Sequence, residues 1–156
     1  MIRAGSLSKQ YGPLRAVDNV SFTVQPGEVL GFLGPNGAGK TTTMRMLAGF
    51  VPASAGYAEI CGFRVDLQPL EAKRRLGYLP EGAPAYGEMA PGEFLQFTGQ
   101  LRGLHGAALR KRIDEVSGRL QLGPVLRQPI ETLSKGFRRR VGLAQAILHD
   151  PPVLIL

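Results

Sequence analysis

Nine residues, GPNGAGKTT from Gly34 to Thr42, constrain this chain more than any others. They fit the spacing G-x-x-x-x-G-K-[ST] through Gly34, Gly39, Lys40 and Thr41. VLGFL (29–33) precedes them, a short and almost wholly apolar run that predicts a buried central strand. TTTMRMLAGF follows and reads as a helix stopped near Gly49 and Pro52. Strand, glycine loop and helix in that order make a phosphate cradle. Glycines let the backbone curl until successive N–H groups point inward at α- and β-phosphates, and the positive end of the next helix faces the same anions. Lys40 then reaches the β- and γ-phosphates, and the Thr41 hydroxyl is placed to ligate Mg²⁺. The loop predicts a nucleoside-triphosphate site.

The flanks extend the pattern. AVDNVSFTV (16–24) alternates at Val20, Phe22 and Val24 like a half-buried strand, and QPGE after it is a turn. YAEICG (57–62) and RLGYLP (75–80) read as two further short strands. Between Pro80 and Leu133 the period changes. Phe94, Phe97, Leu101 and Leu104 keep helical spacing behind Pro91, and Leu109, Ile113, Val116 and Leu120 do the same. A helical insert from about 88 to 123 is therefore expected. A last helix begins near Ser134, buries Phe137, Val141, Ala144 and Leu148, and stops before Pro151. The closing VLIL (153–156) reads as a strand buried on both faces, so the whole predicts an α/β fold with a mainly parallel sheet.

Bulk properties exclude other classes. No run approaches the roughly 18–20 apolar residues of a membrane span, and MIRAGSLSKQYG has no apolar core of a secretory signal. A single cysteine, Cys61, forms no internal disulfide and fits a reducing, cytoplasmic-type compartment. The net charge of +7 gathers in Lys73–Arg75, Arg110–Arg112 and Arg138–Arg140. That excess permits a polyanionic partner, but each triplet also reads as the solvated face of a helix. Basic and aromatic residues are not interleaved as in single-strand binders, so no nucleic acid is expected.

TLSKGFRRRVGLAQAILHDPPVLIL (132–156) resembles the ABC transporter ATPases, whose signature L-S-G-G-Q opens a helix. The resemblance runs over nearly the whole chain. Tyr11 matches the aromatic A-loop residue that stacks on adenine. Gly34, Pro35, Asn36, Gly37, Ala38, Gly39, Lys40, Thr41 and Thr42 match the Walker A loop. GYLPE (77–81) matches the approach to the Q-loop, with Glu81 where the family has glutamine. Leu133 to Phe137 match the signature, with Lys135 for glycine and Phe137 for glutamine. Ser134 and Gly136 keep the hydroxyl and the free backbone N–H groups that the chemistry needs at a helix N-terminus. The wording of GYLPE and of the signature helix is similar to the gliding-motility and multidrug exporter subgroup.

The resemblance implies a P-loop NTPase with a RecA-like core, an N-terminal antiparallel β portion and a helical insert. Residues 1–80 and 131–156 would belong to the core and about 82–130 to a helical subdomain. It implies ATP and Mg²⁺ as ligands and two such domains bound head to tail. Ser134, Lys135 and Gly136 of one would then cap, in trans, the ATP held by the other. It further implies a separate transmembrane permease and a peripheral place on the cytoplasmic face of the membrane. In the family the strand after the signature helix is Walker B, ending in Asp and then Glu; here VLIL supplies the apolar run and stops one residue short. Neither His105 nor His149 stands where the family's later histidine would. The 156 residues are thus expected to be an incomplete ATPase domain, poor at hydrolysis alone. Two readings stay open beside the exporter: a soluble, nucleic-acid-associated ABC ATPase, and an ATP-binding module that regulates without hydrolysing.

Overall fold

A computed structural model describes the chain except for residues 81 and 83–85. The chain divides into two compact units, residues 1–76 with Ile155, and residues 77–154 with Leu156.

The first unit is built on β1 (Ile2–Tyr11), β2 (Leu14–Val24), β3 (Ala55–Ile60) and β4 (Phe63–Arg64), in the order β2-β1-β3-β4. Its three pairings are all antiparallel, which is the expected N-terminal β portion. The sequence reading began its strands at residue 16 and missed β1. Nothing in IRAGSLSKQY alternates cleanly, because the pairing of β1 with β2 slips three times along its length. At the slips serine hydroxyls take over from the ladder: Ser6 N donates to Ser21 Oγ at 2.8 Å and Asn19 N to Ser8 Oγ at 2.9 Å. Backbone donors freed by a bulge must find another acceptor, and polar side chains in a strand supply it. The sheet's buried face carries Ala4, Leu7, Val17, Val24, Ala58 and Ile60. On it packs α1 (Lys40–Leu47), through Met46 and Leu47.

A short helix that the sequence reading missed, α2 (Pro69–Arg74), starts on a proline suited to the first helical position. Glu71 bridges to Arg74 and Arg75, both at 2.8 Å, and the Arg75 bond draws its carboxyl below the usual range. Lys73 lies over the Phe50 ring, so the first basic triplet is engaged with its own surroundings.

One expectation fails. Residues 29–33 form no strand: Val29 is 98% and Leu33 96% exposed. An apolar run is stable as a central strand only with ladder partners on both edges and a layer on each face. Among the described residues no strand pairs with it. Phe32 alone is anchored, edge-on against Phe22 of β2 at 5.2 Å.

The second unit holds α3 (Pro91–Leu101), α4 (Gly106–Arg119) and α5 (Lys135–Ile147). All three arise where helical spacing predicts them. One core joins them: Phe94 and Leu95, Leu109 and Val116, then Val141, Ala144 and Leu148, closed by Leu122, Val125, Ile130 and Leu133. Phe97 and Leu101 keep the spacing yet lie outward. Gly99 leaves room for two of these side chains, since a Cβ there would run into Leu109 Cδ1 and Leu148 Cδ2. Two three-residue strands, β5 (Leu76–Tyr78) and β6 (Val153–Ile155), pair with each other. β6 is not buried on both faces as expected: Val153 and Ile155 point inward and Leu154 outward. Among the described residues no helix is long and apolar enough to cross a membrane.

Candidate functional site

The loop from Gly34 to Gly39 lies at the N-terminus of α1, and its shape follows from its glycines. Gly37 and Gly39 sit at φ 85° and 81°, where a side chain is strained. Gly39 is doubly bound to its identity, because a Cβ there would also strike the Ala16 carbonyl oxygen of β2. The loop can pass this close to the sheet only without a side chain. As the N-cap of α1, Gly39 leaves the first-turn N–H groups uncovered by any side chain, and no acidic residue stands in that turn. Uncapped N–H groups and the helix dipole together favour an anion there.

Lys40 folds back over the loop and donates from Nζ to the carbonyls of Gly34 (2.7 Å) and Pro35 (2.6 Å). Ala38 N closes a turn onto Pro35 O at 3.3 Å. The ammonium thus stands over the ring of backbone that would surround a phosphate. Thr43, which the sequence reading passed over, fastens the base of the loop. It is buried, and both its N (2.8 Å) and its Oγ1 (3.0 Å) donate to Gly39 O. A threonine four residues after a helix-opening glycine carries that signal in sequence.

Thr41 is exposed on the first turn, beside Lys40. Among the described residues no cluster of three His, Cys, Asp or Glu side chains could hold a metal unaided. The exposed Thr41 hydroxyl suits Mg²⁺ in its usual partnership with nucleotides, in which one or two protein oxygens join waters and phosphate oxygens. Thr41 would be such an oxygen, and the ion would neutralise phosphate charge. Tyr11 ends β1 half exposed, with Lys9 Nζ 5.0 Å from its ring centre.

In the second unit Ser134 is the N-cap of α5. Its Oγ accepts from Phe137 N at 3.3 Å and keeps its own proton to donate. Ser134, Lys135 and Gly136 are all exposed at this positive helix end. Arg138, Arg139 and Arg140 follow them on the surface, with Arg140 over the Phe137 ring at 5.3 Å. The first unit seats the loop, at Gly39, against Ala16 of β2, the strand paired with Tyr11's, and the second groups the three signature residues. The expectation for Glu81 lies outside the described residues.

A family profile described as ABC transporter matches residues 17–156. Over its full length the chain is 35% identical to the linearmycin resistance ATP-binding protein LnrL of Bacillus subtilis (strain 168), covering 50% of that protein. It is 38% identical over 150 residues to the Nod factor export ATP-binding protein I of Ralstonia nicotianae, a match of 96% of this chain and 47% of that one. A solved structure described as the ATP-binding subunit of an ABC transporter superposes with a TM-score of 0.89 at 29% identity, covering 98% of this chain and 64% of its own. The chain spans about half the length of the curated relatives it matches. The α/β fold, the glycine loop at the N-terminus of α1 and the Ser134-capped α5 agree with that profile: the chain belongs to the ABC transporter family, among its ATP-binding proteins.

Proposed function

We propose that the full-length protein is the ATP-binding subunit of an ABC exporter. It hydrolyses MgATP as a head-to-tail pair of ATP-binding domains and drives a separate membrane-spanning partner from the cytoplasmic face. The observation that carries this reading is the loop at the N-terminus of α1, with Lys40 held at 2.6 and 2.7 Å over its carbonyls. Two relatives bear export or resistance in their names, which supports the direction of transport.

Backbone N–H groups of the loop hold the phosphates, Lys40 turns from the Gly34 and Pro35 carbonyls to phosphate oxygens, and Tyr11 offers its ring to the adenine. Thr41 supplies its hydroxyl to Mg²⁺, which balances charge on the phosphates. The second domain closes the site in trans. There the Ser134 hydroxyl proton, the Gly136 amide and the Lys135 ammonium face the γ-phosphate, and the dipole of α5 adds to them. Closure excludes water, and the same charges then interact more strongly. ATP thereby becomes the clamp between two halves, and its hydrolysis releases them.

Turnover and ATP binding of the full-length protein test the proposal beside Lys40→Ala. Losing charge-assisted bonds to phosphate is expected to weaken binding about 10- to 100-fold, with turnover falling at least as far. ATP binding equal in both proteins would overturn the reading.

A further inference from the structure

The middle basic triplet contains one residue that is not part of a solvated face. Arg112 of α4 is only 22% exposed at its side chain, and all three of its guanidinium nitrogens are engaged. Nε donates to the Leu148 carbonyl and Nη2 to the Ile147 carbonyl, both at 3.1 Å. Nη2 also reaches Asp150 Oδ1 at 3.4 Å, and Nη1 donates to Glu115 Oε2 at 2.7 Å, one turn along its own helix. The two carbonyls belong to the last turn of α5, where helix carbonyls lack partners and a cation is favoured.

We propose that Arg112 is the positioning residue that sets α5 along its own axis, and with it the placement of Ser134 and Gly136 at the opposite end. The value of that placement for nucleotide capping rests on the function proposed above; the mechanical claim does not. Packing holds α5 through Val141, Ala144 and Leu148 of the shared core. Beside Val141 its buried residues are small, Gly142, Ala144 and Ala146, and apolar contact is non-directional. Hydrogen bonds from a planar fork are directional, and here they grip two successive carbonyls. Leu148 fixes the same point from the other side, with its side chain in the core while its carbonyl meets the guanidinium. A helix of 13 residues is a rod about 20 Å long, so a shift at its carbonyl end appears at its N-terminus. The grip also steadies Asp150, which turns the chain at φ 54° towards β6.

The test compares Arg112→Gln and Arg112→Lys in the full-length protein. Hydrogen exchange is read at Asp150 N, which donates to Ile147 O, and at Phe137 N and Arg138 N in the first turn of α5. The expected result in Arg112→Gln is exchange about tenfold faster at Asp150, with a smaller acceleration at Phe137 and Arg138. KM for ATP then rises several-fold, while ATP affinity of the separated monomer is unchanged. If Arg112→Gln does not fold, Arg112→Lys is read instead, since one ammonium cannot serve both carbonyls and Asp150 at once. Acceleration confined to Asp150 would overturn the proposal and leave Arg112 a local helix cap. A wild-type protein without ATPase activity would overturn the proposed function, and the exchange measurement would still decide the role of Arg112.

Discussion

Gly39 carries more of the site than its lack of a side chain suggests. Its φ of 81° and its closeness to the Ala16 carbonyl are separate demands, one from the loop and one from the sheet. Gly39→Ala fails both. A left-handed alanine costs on the order of 1 kcal/mol, and the methyl against a backbone oxygen adds overpacking of about 1–3 kcal/mol. The expected outcome is a lower urea midpoint together with loss of ATP binding. Unchanged stability with lost binding would mean that the loop, not the sheet, fixes this residue. Ser134 is a plainer case. Its bond to Phe137 N is an ordinary cap, so Ser134→Ala is expected to cost about 1 kcal/mol of stability. Any further loss of turnover, read beside the midpoint, measures what the hydroxyl does for nucleotide in a paired domain.

At the scale of elements, Gly99 of α3 faces Leu109 of α4 and Leu148 at the C-cap of α5. Gly99→Val would press branched methyls into Leu109 and Leu148, and a destabilisation of about 1–3 kcal/mol is expected from overpacking. Equilibrium unfolding in urea checks it; a variant as stable as wild type would show that α3 and α4 can separate freely. These helices were legible in the sequence because one face of each is apolar at spacings of three and four, and because Pro91 and Ser134 announce their starts. β1 was not legible, since its slips and serine-satisfied bulges erase the alternation that marks a strand. Residues 29–33 show the opposite failure. Their composition says central strand, but a strand is a property of its neighbours, and the run alone does not carry them. The turn of the glycine loop into α1 was readable because glycine, lysine and threonine at fixed spacing state local geometry. Arg112 was hidden among charges because its partners are carbonyls 35 and 36 residues away.

In the molecule as a whole, the residues proposed to meet nucleotide come from two units, each with its own core. The phosphate loop rests on the sheet of the first, and the signature residues cap a helix of the second. The exposed run at 29–33 gives the 156-residue chain a definite liability. Val29→Lys with Leu33→Glu is expected to lower its binding of a hydrophobic dye and its tendency to aggregate. Equal dye binding by both chains would place the sticky surface elsewhere. The pairing of β5 with β6 carries a further meaning. The chain departs at Tyr78 and returns at Val153 alongside itself, so everything strung between them is topologically a closed excursion. Paired strands lie about 4.8 Å apart, so the excursion begins and ends on neighbouring strands. Length added to its surface loops is therefore better tolerated than length added at its two paired ends.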